Sequence, residues 1–332
     1  MQLPEYLQIE PVGQCNLKCR MCPVTFRQEG TPYGPPAFME FQEFCEIIGE
    51  AAGVKELHLQ GLGEPMMHPR FFDMVTYAVS KNLYVTTNTN ATLITEQRAT
   101  RCLSSGLHEI HISLDGATAE TYECIRVGSH FDRVIRNLRR LIQVKHEVKT
   151  DLPRIQVVMV LMRRNMHELE GMVDLVSSLG ISDLFVQHLC HDFGESTLPE
   201  KYISMRDFVA NETLLSVDES LIEQIFKEAR TLASLRGVRL RLPQVRPKKY
   251  PPGTPPQTRC DWPWRGTYIT YSGQVMPCCM VSTPDRIHLG SVRGTGFKEI
   301  WNSPAYRDFR KRFASDNPPE ICKTCSVYQG IF

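Results

Sequence analysis

A chain of 332 residues with 42% hydrophobic and 23% charged residues has an ordinary globular composition and the length of about two domains. Lys and Arg total 38 against 37 Asp and Glu, so the formal net charge is +1, which excludes a broad electrostatic footprint for nucleic acid or an anionic membrane. No apolar run approaches the roughly 18 residues of a membrane helix, and residues 1–10 show no cationic stretch leading into an apolar one, so no export signal is visible. The expected location is cytoplasmic and reducing. There, 12 cysteines read as metal ligands or catalytic groups before they read as disulfides.

Along the first 190 residues, strand-like runs alternate with helical spacing. Strands are predicted at 6–10, 57–60, 84–88, 109–115, 154–161 and 184–189. Helices are predicted over 39–52, 69–81, 95–105 (opened by Thr95), 131–146 and 167–179, the last ending at Gly180. The run at 109–115 alternates Ile110, Ile112 and Leu114, whereas 154–161 is apolar and β-branched, as a buried parallel strand would be. Six βα units require a parallel sheet with helical crossovers. Either an open doubly wound sheet or an incomplete barrel satisfies that, and in both the chemistry gathers at the C-terminal strand ends. Residues 192–213 read as irregular. A helix over 217–237 follows, with Ser216 and Glu219 as a capping box, then a short strand at 238–242. Residues 243–256 hold six prolines and read as a linker or an extended wrap.

Cys15, Cys19 and Cys22 lie directly after the first strand in Gly13-Gln-Cys-Asn-Leu-Lys-Cys-Arg-Met-Cys-Pro23. Three thiolates on one loop can converge on a metal, and no second Cys-x2-Cys pair lies nearby to complete a zinc finger. On a four-iron cluster, three ligands leave one iron open. A zinc site or a purely structural iron–sulfur site is the competing reading. Cys-x3-Cys-x2-Cys after the first of six βα units resembles the radical S-adenosylmethionine (SAM) superfamily. The resemblance covers about residues 5–190. It implies a partial (β/α)6 TIM-like barrel, and a [4Fe-4S] cluster whose open iron chelates SAM. Electron injection into SAM then yields a 5'-deoxyadenosyl radical that removes a hydrogen atom from the substrate.

The same resemblance implies SAM-contact roles for seven further residues. Gly61-Leu-Gly-Glu-Pro65 is similar to the family's GGEP segment, with an extra residue between the glycines. Gly61 and Gly63 would let backbone approach the ligand, and Glu64 would accept from the SAM ammonium. Asn88 ends the third strand at the family's polar position near ribose and carboxylate. Ser113, in Ser113-Leu-Asp-Gly116, matches a ribose-contact segment. Arg126 matches a position that pairs with the SAM carboxylate, and Met21 a position that packs on adenine. Taken singly, the 61–65 segment has a plainer reading as a glycine turn closing a βα loop, and Arg126 as a solvated surface residue.

Cys260, Cys278, Cys322 and Cys325 form a second constellation in residues 259–332, with Cys322-Lys-Thr-Cys325 as a knuckle. Four sulfurs suit zinc or a four-iron cluster equally well. Gly273-Gln-Val-Met-Pro-Cys278, Glu299-Ile-Trp301 and the terminal knuckle resemble the SPASM auxiliary-cluster module, closest to the shortened twitch form of cyclitol-oxidising relatives. The resemblance implies one auxiliary [4Fe-4S] cluster, with Cys278 rather than its neighbour Cys279 as ligand. The expected organisation is a barrel over 1–192, a helical and Pro-rich connection over 193–258, and the small iron–sulfur unit over 259–332.

Cys45 and Cys102 read as core residues, and Cys124 and Cys190 fit neither cluster. His188, His191, Asp192, Trp262, Trp264, Arg265 and Tyr268 are candidate substrate groups, but packing explains each as well, so no catalytic base is named. The barrel begins by Tyr6, which leaves no room before it for a peptide-binding domain. The expected substrate is therefore a polar small molecule of sugar, cyclitol or nucleoside type, undergoing oxidation, epimerisation or decarboxylation. A radical maturase acting on a ribosomally made peptide or protein side chain is the first alternative, and a non-catalytic iron–sulfur or zinc protein the second. The expected electron donor is a flavodoxin or ferredoxin.

Overall fold

The computed structural model describes residues 3–26, 37–189 and 193–331. Six strands, β1 (Tyr6–Ile9), β2 (Glu56–Leu59), β3 (Tyr84–Thr89), β4 (Glu109–Ser113), β5 (Arg154–Leu161) and β6 (Asp183–His188), pair in parallel in chain order. The crossovers carry α1 (Phe41–Glu50), α2 (Phe71–Ser80), α3 (Glu96–Ser104), α4 (Ala119–Ile125), α5 (Phe131–Val148) and, before β6, α6 (Leu169–Ser178). A doubly wound sheet would reverse its order partway. This order never reverses, so every crossover winds the same way and the sheet curls into an incomplete barrel.

The openness of the barrel explains the strand patterns. Val85, Thr87 and Thr89 on β3, and Ile110 and Ile112 on β4, are buried toward the helices. Tyr84, Thr86, Asn88, Glu109 and His111 alternate with them on the inner face and are only half-buried. A filled barrel would need apolar side chains there; an unfilled one keeps a polar, water-accessible lumen.

Local signals set the helix ends. Thr95 accepts from the Arg98 amide at 3.2 Å and caps α3. Gly180 follows α6 at φ 72°, the left-handed conformation in which glycine carries no Cβ penalty. Two expectations are corrected after residue 192. Residues within the supposedly irregular stretch form α7 (Ile203–Glu212), which buries only Met205 and Val209 and so lacks a strong apolar stripe. The next helix, α8 (Glu219–Arg236), is capped by Asp218, which accepts from the Leu221 amide at 3.1 Å. Ser216 instead bonds back to the Thr213 carbonyl. The capping box is displaced because a 3-10 turn at 214–216 occupies the predicted start.

Both open edges of the six-strand arc are extended. β7 (Arg239–Arg241) joins β6 in parallel. β8 (Gly266–Ile269) joins β1 in parallel and β9 (Val275–Met276) returns antiparallel, giving a nine-stranded sheet ordered β7-β6-β5-β4-β3-β2-β1-β8-β9. The C-terminal unit thus shares a sheet with the barrel, and its hairpin covers the β1 edge that would otherwise invite foreign pairing. It adds the short helices α9 (Pro256–Arg259), α10 (Trp262–Arg265), α11 (Phe297–Trp301), α12 (Pro304–Phe313) and α13 (Glu320–Lys323). Trp301 is fully buried against Tyr306, and the Arg310 guanidinium stacks over both rings while donating to the Pro263 and Trp301 carbonyls. No helix of the described residues is long and apolar enough to cross a membrane.

A buried ion pair fastens the segment after β6 to the C-terminal unit. Glu195 accepts from Arg286 Nε at 2.6 Å and Nη2 at 2.9 Å, and both side chains are almost fully enclosed. Arg286 also donates to the Val281 carbonyl. Removing one partner strands the other charge, which costs about 3–5 kcal/mol, whereas replacing both with apolar groups of similar size is often near neutral. Arg286→Met is therefore expected to lower the urea midpoint strongly, and Glu195→Leu combined with Arg286→Met to recover most of it. Equal losses in the single and double variants would contradict this account.

Candidate active site

The first cysteine loop leaves the C-terminal end of β1 and is pinned on three sides. The Gly13 amide donates to Ala37, the Glu64 amide to Gln14, and the Lys18 and Arg20 amides to Val127 and Ile125 at the end of α4. The glycines of the 61–65 segment serve this packing. A Cβ on Gly63 would lie 2.0 Å from the Val12 carbonyl oxygen and 2.5 Å from that of Gln14; one on Gly61 would strike the Glu10 side chain and Tyr268. They admit neighbouring chain at distances that no side chain would allow.

Glu64 is buried and accepts three hydrogen bonds, from Thr89 Oγ1 at 2.7 Å and from the amides of Asn90 (2.9 Å) and Met66 (3.2 Å). Burial pushes its carboxyl above the usual range against those bonds. Its charge acts on the Cys15 thiol, so it stands beside the loop. Arg126 pairs through Nε with Asp115 Oδ2 at 2.7 Å and reaches Cys19 Sγ with Nη1 at 3.9 Å. Asp115 is fully buried and its other oxygen accepts from the Val160 amide. Asp115 belongs to the segment read for Ser113, but its partnership with Arg126 was not foreseen. Ser113 itself stands half-buried at the end of β4. Asn88 lies deeper, within 2.8 Å of His111 Nδ1. Asn90 is the asparagine that reaches Cys15 Sγ, at 3.8 Å. Met21 packs with the small apolar cluster of Ile125, Met162, Phe193 and Tyr202.

Burial raises the Cys15 and Cys19 thiols, Cys19 to about 12 even with Arg126 opposing. Buried thiols of this kind ionise when a metal takes their protons' place. Among the described residues no three His, Cys, Asp or Glu converge tightly enough for a single metal ion. Three thiols on one loop fit a four-iron cluster with one iron left open, whereas a structural zinc would need a fourth protein ligand.

At the auxiliary site, Cys260 follows α9, Cys278 follows β9, and Cys322 and Cys325 flank the end of α13. Burial raises the Cys278 thiol, and the neighbouring Cys279, Cys325, Cys322 and Cys260 add to it. The charge of Cys279 acts on Tyr6 of β1. Phe313, Tyr328 and Trp264 pack around Cys260, Cys322 and Cys325.

An open cleft of about 770 Å³ is lined by Tyr6, His58, Asn88, His111, Gln187 and Arg241, among others, with Tyr6, Glu56, Tyr84, Glu109 and Arg154 contributed from the N-terminal ends of their strands. Strand register aligns Gln8, His58, Thr86, Glu109 and Arg154 in one transverse row, and Asn88, His111 and Gln156 in the next. His58 Nδ1 meets Thr86 Oγ1 at 2.6 Å and its ring lies 5.9 Å from that of His111. None of this was read from the sequence, although alternating polar residues on β3 and β4 carried the signal. Of the substrate candidates, His188 points outward and meets the Gln244 carbonyl, Trp262 packs edge-on against Tyr6, Trp264 belongs to the aromatic packing around the auxiliary cysteines, and Tyr268 is buried beside Gly61. Cys190, His191 and Asp192 lie outside the described residues.

Comparison with known proteins follows the same division. The family described as "Radical SAM superfamily" matches residues 9–176, and SPASM, an iron-sulfur cluster-binding domain, matches 260–326. The chain is 25% identical over 324 residues to the tungsten-containing aldehyde ferredoxin oxidoreductase cofactor-modifying protein of Pyrococcus furiosus, covering 92% of this chain and 83% of that protein. It is 25% identical over 327 residues to the PqqA peptide cyclase of Granulibacter bethesdensis, covering 97% and 79%. Its fold is similar to that of Streptococcus suis SuiB bound to precursor peptide SuiA, with a TM-score of 0.67 at 16% identity, over 99% of this chain and 71% of that one.

Two predictions follow from the geometry. Gly63→Ala drives a methyl into two carbonyls of the cysteine loop, so the reconstituted variant is expected to hold about half the iron of the parent, the auxiliary share alone. Unchanged iron would show that the loop yields. Separately, burial, reinforced by His111, holds the His58 imidazole down to about 3, while an unfolded histidine titrates near about 6.5. Between those values the unfolded state binds the extra proton, so this contribution to stability falls as pH drops below about 6.5 and is constant above it. His58→Asn is expected to flatten the acid loss between about pH 6.5 and about pH 5, measured as urea midpoints against the parent.

Proposed function

This chain belongs to the radical SAM superfamily, and we propose that it is a maturase that abstracts a hydrogen atom from a side chain of a ribosomally made peptide or protein. Its cofactors are a [4Fe-4S] cluster with SAM and an auxiliary iron–sulfur centre. The observation that carries the peptide reading is the likeness to a peptide cyclase over nearly the whole chain. The expectation of a small polar metabolite gives way to it. The lumen is compatible in size and chemistry, since about 770 Å³ accommodates a side chain with its flanking backbone, and Gln and Asn side chains offer both a donor and an acceptor to peptide groups.

In this reading Cys15, Cys19 and Cys22 hold the SAM-binding cluster, and Cys260, Cys278, Cys322 and Cys325 the auxiliary one. When bound, the first cluster supplies the electron that splits SAM and so the 5'-deoxyadenosyl radical that takes the substrate hydrogen. The chain's own groups bind and orient. The Arg126–Asp115 pair keeps a cation against Cys19, and a guanidinium so placed suits the SAM carboxylate. Glu64 presents an acceptor beside Cys15, suited to the SAM ammonium. The polar rows of the lumen hold the substrate below. An electron donor of flavodoxin or ferredoxin type and a reducing cytoplasm complete the proposal; every described cysteine is a free thiol.

A second reading, a hydroxyl-rich small molecule, draws on the same polar lumen and on the cofactor-modifying relative. The reduced, reconstituted enzyme given SAM and extract of deuterated host cells separates the two. Deuterium arriving in 5'-deoxyadenosine only from the peptide and protein fraction is the expected result; label only from the metabolite fraction would overturn the proposal. Cys19→Ala is expected to abolish label transfer from either fraction.

A further inference from the structure

From Ala229 to Cys260 the chain has no Asp or Glu and eight cations, Arg230, Arg236, Arg239, Arg241, Arg246, Lys248, Lys249 and Arg259. With a net charge of only +1 for the whole chain, the remainder is net acidic. Such a tract is ordinarily a solvated face whose charges are answered by neighbours. Here the answer is partial. Arg236, Arg239 and Arg246 pair with Asp174, Asp183 and Glu219. Among the described residues no carboxylate pairs with Arg241, Lys248, Lys249 or Arg259. Arg241 stacks on Phe185, 4.2 Å from the ring centroid, and lines the lumen. Lys248 lies over Tyr250, and Arg259 over Tyr250 and Tyr328. The Arg259 Nε is buried and makes no hydrogen bond.

Position adds to charge. After the end of α8 the tract passes through β7, where Arg241 lines the cleft and whose outer edge pairs with no strand among the described residues. It then runs as an exposed Pro-rich strap, tied to the C-terminus where the Lys248 amide donates to the Gly330 carbonyl, and ends beside Cys260. Its unanswered cations are therefore spread along the exposed chain that joins Arg241, at the cleft, to Cys260. A guanidinium lying over an aromatic ring without a carboxylate partner retains donors for a carboxylate fork.

We propose that this strap is the docking surface for an acidic, extended segment of the peptide substrate, with a substrate carboxylate received by Arg241 at the lumen wall and further Asp or Glu side chains by Lys248 and Lys249. The inference rests on the peptide reading above and adds its charge. An acidic redox protein presents similar chemistry, but Arg241 lines the cleft that the peptide reading gives to the substrate, and that favours the substrate.

The test uses the reconstituted holoenzyme and three fluorescein-labelled ten-residue probes, of glutamate, glutamine and lysine, followed by fluorescence anisotropy. The glutamate probe is expected to bind at least about tenfold more tightly than the glutamine probe, and to weaken as salt is raised. Arg241→Gln and the exposed pair Lys248→Glu with Lys249→Glu are each expected to weaken it about tenfold. Equal binding of the glutamate and glutamine probes, binding of neither, or indifference to both variants overturns the proposal. So does a result in which the lysine reversals leave glutamate binding intact but slow reduction by an acidic flavodoxin and not by dithionite, which assigns the strap to the electron donor. If the probes fail while deuterium still comes from the peptide fraction, the peptide reading stands and only the strap's role falls.

Discussion

The closest constraint in the molecule is the absence of space at Gly63. A Cβ there would run into the carbonyls of Val12 and Gln14, so a methyl group has nowhere to go. That contact fixes where the chain turns after β1, and so where Cys15, Cys19 and Cys22 lie. The surrounding groups depend on it in turn. Glu64 follows Gly63 and stands beside Cys15, and Asn90, bonded to Glu64, reaches the same sulfur. Arg126 reaches Cys19 because the end of α4 is stitched to residues 18 and 20 of the loop. A protein built to hold a reactive cofactor must orient it and keep competing reactions out. Here that work falls to backbone packing and a buried ion pair more than to any single polar contact.

Much of this was legible in the sequence because the signals were local. The strands showed in their alternation or apolar runs, most helices in their spacing and caps, and the two cysteine sets in their intervals. What escaped depended on distance. Asn88 and Asn90 are indistinguishable as sequence, and only the end of β3 decides that one faces His111 and the other Cys15. Asp115 and Arg126 are separated by a seven-residue helix too short to declare itself. α7 buries too few apolar residues to impose a visible period. The polar lumen could have been suspected from Thr86, Asn88, Glu109 and His111, but its meaning required knowing that the barrel stays open.

The auxiliary unit shows the same dependence on long-range partners. Its cysteines were recognisable by spacing, while its attachment was not. Glu195 and Arg286 are 91 positions apart and bury together as a bidentate pair. Arg293 and Lys298 reach Glu43 and Glu50 on α1. The interval between barrel and auxiliary unit, read at first as linker, is the part whose charge is least balanced by its surroundings.

The pairing of β8 with β1 also governs how the two cysteine sets are spaced. One set departs from the C-terminal end of β1. Cys278 leaves β9 level with Gly266 and Tyr6, at the opposite end of the same strand. Their axial separation is thus measured out by a parallel strand, at about 3.3 Å per residue, and a hydrogen-bonded ladder does not stretch. In a hinged protein, substrate binding could bring two redox centres together or part them. Here the loop that carries one set and the hairpin that carries Cys278 hang from one hydrogen-bonded ladder, so continuous sheet, not a hinge, joins them.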